Sequence, residues 1–406
     1  MQMQAVNFEG CFGWLHQTTS GPLGVVLCAS WEYEALATHQ SLRVLADGLA
    51  AAGLPTLRFD YFGSGDSLGE SAAPGAFESS IASIRCAIDA LRRLTGVERV
   101  ALVGHRLGAA FALLAARAGD IDRAVLIRPL ARGKLYIAEQ RALAKIVALR
   151  EGAHIARNLE PGAIEVEGFR LSAEAVEKIA AIDFTRDEGP VPRRVLIAGE
   201  AGSQTYVALG AKLAALGAVV EHRDLAEVSA WGPTPVPTAP PISDSDVLAD
   251  WLGRCSGAYP HRLDEVSLQG RSFVETAISF GPAHELTGIL CRPNRAESDE
   301  GRRVVLFLSS GANSHIGTGR TWVEHARALA ERGVASLRMD CLGIGDSRWL
   351  SEGPLGSIHH VERVADVSSA IDYLRRAERC TTAAINSRPI QPQFCRHSRT
   401  TASISL

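Results

Sequence analysis

The chain has 406 residues, 46% hydrophobic and 21% charged, with a net charge of −3. That composition is globular and fits one large domain or two ordinary ones. It excludes a disordered chain, and the balanced charge carries no nucleic-acid or membrane signature. Along the chain, strands are expected at 24–30, 56–60, 99–103, 122–127, 193–198 and 218–222. Helices are expected at 40–52, 78–94, 107–118, 204–216 and 244–254, with an irregular, partly helical segment at 130–190. Strands alternating with helices of this length predict an α/β fold with a mostly parallel sheet covered on both faces. The stretch 232–241 holds five prolines and reads as a loop before the last helix.

A long-range repeat divides the sequence. Leu57-Arg58-Phe59-Asp60-Tyr61-Phe62-Gly63-Ser64-Gly65-Asp66-Ser67 returns 280 positions later as Leu337-Arg338-Met339-Asp340-Cys341-Leu342-Gly343-Ile344-Gly345-Asp346-Ser347. The upstream strand and helix keep the same register, and 88–94 matches 371–377 with a three-residue shift, which suits a duplicated domain better than a solenoid. The second copy opens with an antiparallel pair at 273–280 and 285–291 and runs to the helix at 360–377. The polar, aperiodic segment 380–406 reads as an irregular, disordered tail. The expected division is therefore 1–255, 256–379 and 380–406, with the second copy ending before its own nucleophile would appear. A change of reading frame is the preferred account of that ending, and a genuine short domain is the alternative.

The most telling local feature is Gly104-His105-Arg106-Leu107-Gly108, between the β-rich run 99–103 and the small-residue helix from 107. Strand, Gly-x-Nuc-x-Gly, helix is the setting of a nucleophile elbow. Arg106 stands at its apex, and a guanidinium has no lone pair with which to attack a carbonyl.

With the Asp-x-x-Gly-x-Gly-x-Ser motif at 60–67 and 340–347, the elbow, and Gly133-Lys134-Leu135-Tyr136, the chain resembles the α/β-hydrolase superfamily. Within it, the chain is similar to the serine-aminopeptidase-like branch and to small hydrolases associated with bacterial exosortase systems. The resemblance implies an ester, thioester or amide hydrolase ancestry with nucleophile, acid and histidine in chain order. It places Arg106 at a vacant nucleophile position and Glu200 at the acid position. It puts no histidine between 225 and 240; His222 lies in a strand and His261 beyond the last helix. The oxyanion hole would use the backbone N–H groups of Leu107 and of Ser30 or Trp31.

Three readings follow. One is a catalytically impaired hydrolase-fold protein, with Arg106 paired to Glu200 or Asp60. The second is an active esterase or peptidase with an unconventional site, His105 being the nearest candidate. The third is a small-anion module centred on Arg106, Arg128 and Arg132, with Lys134 close by.

The Asp66-Ser67 and Asp346-Ser347 pairs read as turn-forming and capping residues. His359-His360, and Cys380 with Cys395 and His397, lack metal-ligand spacing. The eight cysteines stand singly, as reduced thiols would. No cofactor or metal is expected. The expected ligand is a small acyl or anionic molecule, without nucleic acid. No apolar run reaches the roughly 18 residues of a membrane span, and no signal peptide is visible at the start, so a cytoplasmic location is expected.

Overall fold

A computed structural model describes residues 2–17, 21–119, 121–151, 159–200, 202–231, 241–255, 266–294, 303–308, 313–348, 363–378 and 382–386. His261, His359, His360, Cys380, Cys395, His397 and the proline-rich stretch 232–240 lie outside them. The chain divides into two compact units, 1–146 with 158–264 and 147–157 with 265–406.

The first unit begins with a hairpin absent from the sequence-based expectation, β1 (Gln2–Phe8) and β2 (Cys11–Gln17). Its turn is Glu9-Gly10, both at positive φ. That is the geometry a two-residue hairpin wants, but Glu-Gly lacks the Asn or Asp that usually announces it. There follow β3 (Leu23–Cys28), α1 (Tyr33–Ala51), β4 (Thr56–Phe59), α2 (Ala76–Thr95), β5 (Arg99–His105), α3 (Leu107–Ala116), β6 (Arg123–Ile127) and α4 (Gly133–Glu151), of which the residues from Val147 on are grouped with the second unit. A small hairpin, β7 (Ile164–Val166) and β8 (Phe169–Leu171), leads to α5 (Ala173–Ala181). The unit closes with β9 (Arg194–Ala198), α6 (Gln204–Ala215), β10 (Val219–Arg223), α7 (Ala226–Ser229) and α8 (Ile242–Leu252).

Its sheet runs β1-β2-β4-β3-β5-β6-β9-β10, parallel from β4 onward. β3 is buried along its whole length, and β5 from Val100 on, as strands covered on both faces must be. On one face Val25, Leu27, Val103, Val125 and Leu196 pack with Leu45 and Leu49 of α1, Leu248 of α8, and Trp231. The C-terminal ends of β3, β5, β6 and β9 therefore emerge side by side, where ligands bind in sheets of this kind.

The second unit contains β11 (Ser267–Gln269), β12 (Phe273–Phe280), β13 (Leu286–Pro293), β14 (Arg303–Leu308), α9 (Thr321–Glu331), β15 (Ala335–Asp340), α10 (Arg363–Ala377) and β16 (Thr382–Asn386). Its sheet order is β11-β12-β13-β15-β14-β16, so β12, β13, β15, β14 and β16 follow the order of β1, β2, β4, β3 and β5. β16 corrects the expectation that everything after 380 is irregular: it pairs in parallel with β14, from Arg303↔Thr382 to Phe307↔Asn386. Thr-Ala-Ala-Ile-Asn has no alternating pattern to advertise a strand, and the pairing edge of β14 decides its conformation.

The two glycine-rich turns carry the same bonds. Ser67 Oγ donates to the Asp60 carbonyl (2.7 Å) and accepts from Phe12 N–H (2.9 Å). Ser347 Oγ donates to the Asp340 carbonyl (2.6 Å) and accepts from Thr287 N–H (2.9 Å). The N–H of Asp66 donates to Asp60 Oδ2 at 2.9 Å, and that of Asp346 to Asp340 Oδ2 at 2.8 Å. Gly65 and Gly345 sit at φ 50° and 51°, and a Cβ on either would stand within about 2.2 Å of that aspartate. The serines thus tie the hairpin strand to the turn after its neighbour, a firmer role than capping.

Candidate functional site

The elbow is fully formed. Arg106 sits at φ 50°, ψ −115° between β5 and α3, a conformation rare for any residue with a Cβ. Its N–H donates to the Ile127 carbonyl at 2.9 Å. The flanking glycines are there because backbones meet. A Cβ on Gly104 would lie 2.5 Å from Ala109 Cα, and one on Gly108 would lie 2.1 Å from the Ala29 carbonyl oxygen. That second contact brings the start of α3, with Leu107, against the loop carrying Ser30 and Trp31, the two sides from which an oxyanion hole is built.

The apex side chain is locked rather than offered. The Arg106 guanidinium donates to Glu34 Oε1 (Nη2, 3.1 Å) and Oε2 (Nε, 3.5 Å) and to the Glu139 carboxylate, with Tyr136 beneath it at 5.5 Å. Glu34, in the first turn of α1, is 2% exposed. It also accepts from Ser30 Oγ at 2.5 Å and from Gln140 Nε2 at 3.0 Å. Burial draws the guanidinium pKa down, but Glu34 and Glu139 outweigh it and the net shift is upward. Tyr136 is pushed well up by burial and then by Glu34. A permanently charged arginine in a closed ion pair cannot serve as nucleophile or base.

The expected partners of Arg106 were Glu200 and Asp60, and the structure corrects both to Glu34 and Glu139. Glu34 belongs to the short run Trp31-Glu32-Tyr33-Glu34, where sequence reasoning looked only for backbone donors. Glu139 and Gln140 lie three and four residues beyond Tyr136 on α4, inside a segment read as largely irregular. The available signal was Gly133-Lys134-Leu135-Tyr136 continuing at helical spacing.

The other arginines are engaged as well. Arg128, at φ 47°, donates to the Trp231 carbonyl. Arg132 is 58% exposed and 4.0 Å from Asp183.

His105 is buried edge-on against Trp231, ring centroids 5.3 Å apart. Neither ring nitrogen has a hydrogen-bond partner among the described residues. Burial, then Arg106 and Arg128, hold its pKa well below the usual histidine value. Glu200 stands exposed at the end of β9, where it and His222 line one cleft of about 150 Å³ with Ser203, Tyr206 and Asp224.

In the second unit a buried histidine escaped sequence reasoning. His315 Nδ1 lies 2.7 Å from Asp340 Oδ2, and its backbone N–H donates to Asp340 Oδ1 at 2.6 Å. With Asp346 these residues offer ligand-type atoms within 4.8 Å of one another. Asp340 already accepts hydrogen bonds on both oxygens, so the trio reads as a folded turn.

Residues 38–196 match the family of S33 serine aminopeptidases. The mostly parallel sheet of the first unit and the elbow at its centre have the α/β-hydrolase fold. Among solved structures the chain is similar to Est1E from Butyrivibrio proteoclasticus bound to ferulic acid (16% identity, TM-score 0.41, 61% of this chain and 96% of that one). It is similar to a proline iminopeptidase-related protein from Thermus thermophilus (17%, 0.41, 62% and 96%). It is also similar to a Pyrococcus furiosus esterase (14%, 0.43, 62% and 90%). A comparison with curated protein sequences finds no match. In the first unit, the elbow backbone is intact and its apex is an arginine.

Proposed function

We propose that this chain is a hydrolase-fold protein whose elbow has exchanged chemistry for an ion pair, so that it does not turn over esters, thioesters or amides at that site. The observation that carries the reading is Arg106 in the nucleophile's backbone conformation, bonded to the buried carboxylate of Glu34. Arginine cannot attack, and Glu34 removes the charge that would otherwise recruit an anionic substrate. The neighbouring His105 is enclosed against Trp231 and has no route to stand in. The second unit fits a partial copy of the first, supported by the shared strand order and the paired turn hydrogen bonds.

The test is an assay of the full chain on p-nitrophenyl esters of short and medium chain length, beside a heat-inactivated control. The expected result is no difference between the two. Saturable turnover that disappears in Arg106→Ala would overturn the proposal.

A further inference from the structure

Strand β10 forms the outer edge of the first unit's sheet, and α6, which packs on it, belongs to the same unit. Among the described residues β10 pairs with β9 alone. The Val219 N–H donates to the Arg193 carbonyl at 2.8 Å, and the Arg223 carbonyl accepts from the Gly199 N–H at 3.1 Å. In a parallel ladder alternate residues bond the neighbour. Val219, Glu221 and Arg223 therefore face β9, and Val220 and His222 turn their N–H and C=O groups to the open side. Edges that stay free are commonly blunted by lysine, proline or a bulge. Here the pairing with β9 runs unbroken from Val219 to Arg223, and the strand holds neither lysine nor proline. An apolar flank overhangs the same edge. Gly210 of α6 faces β10, since a Cβ there would lie 2.5 Å from His222 and 3.4 Å from Val220. Val207, Ala211 and Ala214 fall about 40–100° round the helix from it, on the side away from buried Leu209 and Leu213. All three are exposed.

We propose that β10 is the seam of a homodimer, in which two copies join their sheets antiparallel across a twofold axis at His222. A second copy is the occupant because the edge is complementary to itself in one register. Centred on His222, the twofold sets Glu221 opposite Arg223 of the other copy, and does so twice. These are non-hydrogen-bonded positions, where facing side chains come closest. The outward N–H and C=O groups of the two His222 residues then bond each other. Centred on Glu221, the same strands would set acid against acid. Centred on Val220, they would set Glu221 against Val219. Charge therefore fixes the register. A twofold normal to the sheet keeps both α6 helices on one face, so Val207, Ala211 and Ala214 would pack against their symmetry mates. The seam does not involve the elbow and is independent of whether the elbow is active.

The experiment is light scattering on the full chain as it elutes from a size-exclusion column. At about 10 µM the chain should show twice its monomer mass. Arg223→Glu and Glu221→Arg each set like charges across the seam and should raise the dimer Kd about tenfold or more. Mixed together, the two variants restore both opposite-charge pairs, and a heterodimer should form. Ala211→Glu leaves the charge pairs untouched, loads the overhanging flank, and should weaken the dimer as well. Circular dichroism should be unchanged in Arg223→Glu and Ala211→Glu, whose side chains are exposed. These two variants decide the matter if Glu221→Arg, which loses its bond to Trp251, does not fold. A monomeric chain would overturn the proposal, whatever covers the edge instead. So would a dimer that keeps its affinity in Arg223→Glu, or folded charge variants that stay monomeric when mixed.

Discussion

Removing the Arg106 guanidinium leaves Glu34 as a buried carboxylate with only Ser30 and Gln140 as partners. Breaking one side of a buried pair costs about 3–5 kcal/mol, so Arg106→Ala should lower urea stability by that order. Replacing both members by leucine should recover much of the loss, since the desolvation penalty goes with the charges. If the single and double variants are equally unstable, the pair is not what holds this corner. Arg106→Ser asks a chemical question at the same atom. It restores a hydroxyl beside the backbone donors but supplies no base, and an unassisted serine is a weak nucleophile. A fluorophosphonate probe should label it slowly and once, with no ester turnover. Rapid turnover would mean that a histidine reaches the elbow, His222 being the first to test.

Ser67 and Ser347 allow an internal comparison at the scale of one turn. Each hydroxyl bridges a strand's N–H to the carbonyl of the motif's aspartate. Losing such a bridge leaves a buried N–H unsatisfied, worth about 1–3 kcal/mol. Ser67→Ala and Ser347→Ala should therefore cost similar amounts, each within its own unit's unfolding transition. Widely different costs would speak against equivalent turns. These motifs were legible in the sequence because glycine and aspartate spacing dictates the turn directly, as did strand-elbow-helix at 99–108. The β1–β2 hairpin was hidden by a Glu-Gly turn, and β16 by a sequence without alternation. The partners of Arg106 were hidden for a different reason. Glu34 and Glu139 meet it only through tertiary folding, across 72 and 33 residues of chain, and no local spacing encodes that meeting.

Each unit has its own buried cluster, one around Val103, Leu49 and Trp231 and the other around Leu290, Leu306 and Leu337. Calorimetry should resolve two transitions. A single two-state transition would show that neither core is autonomous. Limited proteolysis should spare a fragment close to 1–255, because β16 is an edge strand among the described residues and edges open first. Equal resistance of both halves would contradict this. Acid should weaken the first unit in a particular way. Burial holds His16 and His105 below the ordinary imidazole pKa, against an opposing pull from Asp47 on His16. The unfolded chain protonates both near pH 6.5, so their contribution is whole above about pH 6.5 and is lost as the pH falls below it. Asp60 works in the other direction: burial, then Asp66, push its carboxyl up to about 6. The folded chain therefore keeps a proton there and gains stability as the pH falls from about 6 toward 4. The melting temperature should start to fall below about pH 6.5 and fall less steeply once Asp60 takes its proton near pH 6, and His105→Phe should shrink that fall. An unchanged drop in that variant would remove His105 from the account.

The elbow's shape has a consequence for how much change the chain can absorb. Gly104 and Gly108 hold α3 against the backbone of β5 and of the loop at Ala29 whatever side chain stands at the apex. On the proposed reading, the demands of the turn and the demands of the reaction have come apart. A library of substitutions across 100–110 and 195–225 should therefore give a lopsided map. Gly108 should accept no larger residue, whereas Glu200 and His222, exposed beside their cleft, should accept almost any polar one at full solubility. In a working hydrolase the acid position, here Glu200, would rank among the least permissive. Here permissiveness itself becomes the signature that separates an inherited frame from a maintained active site.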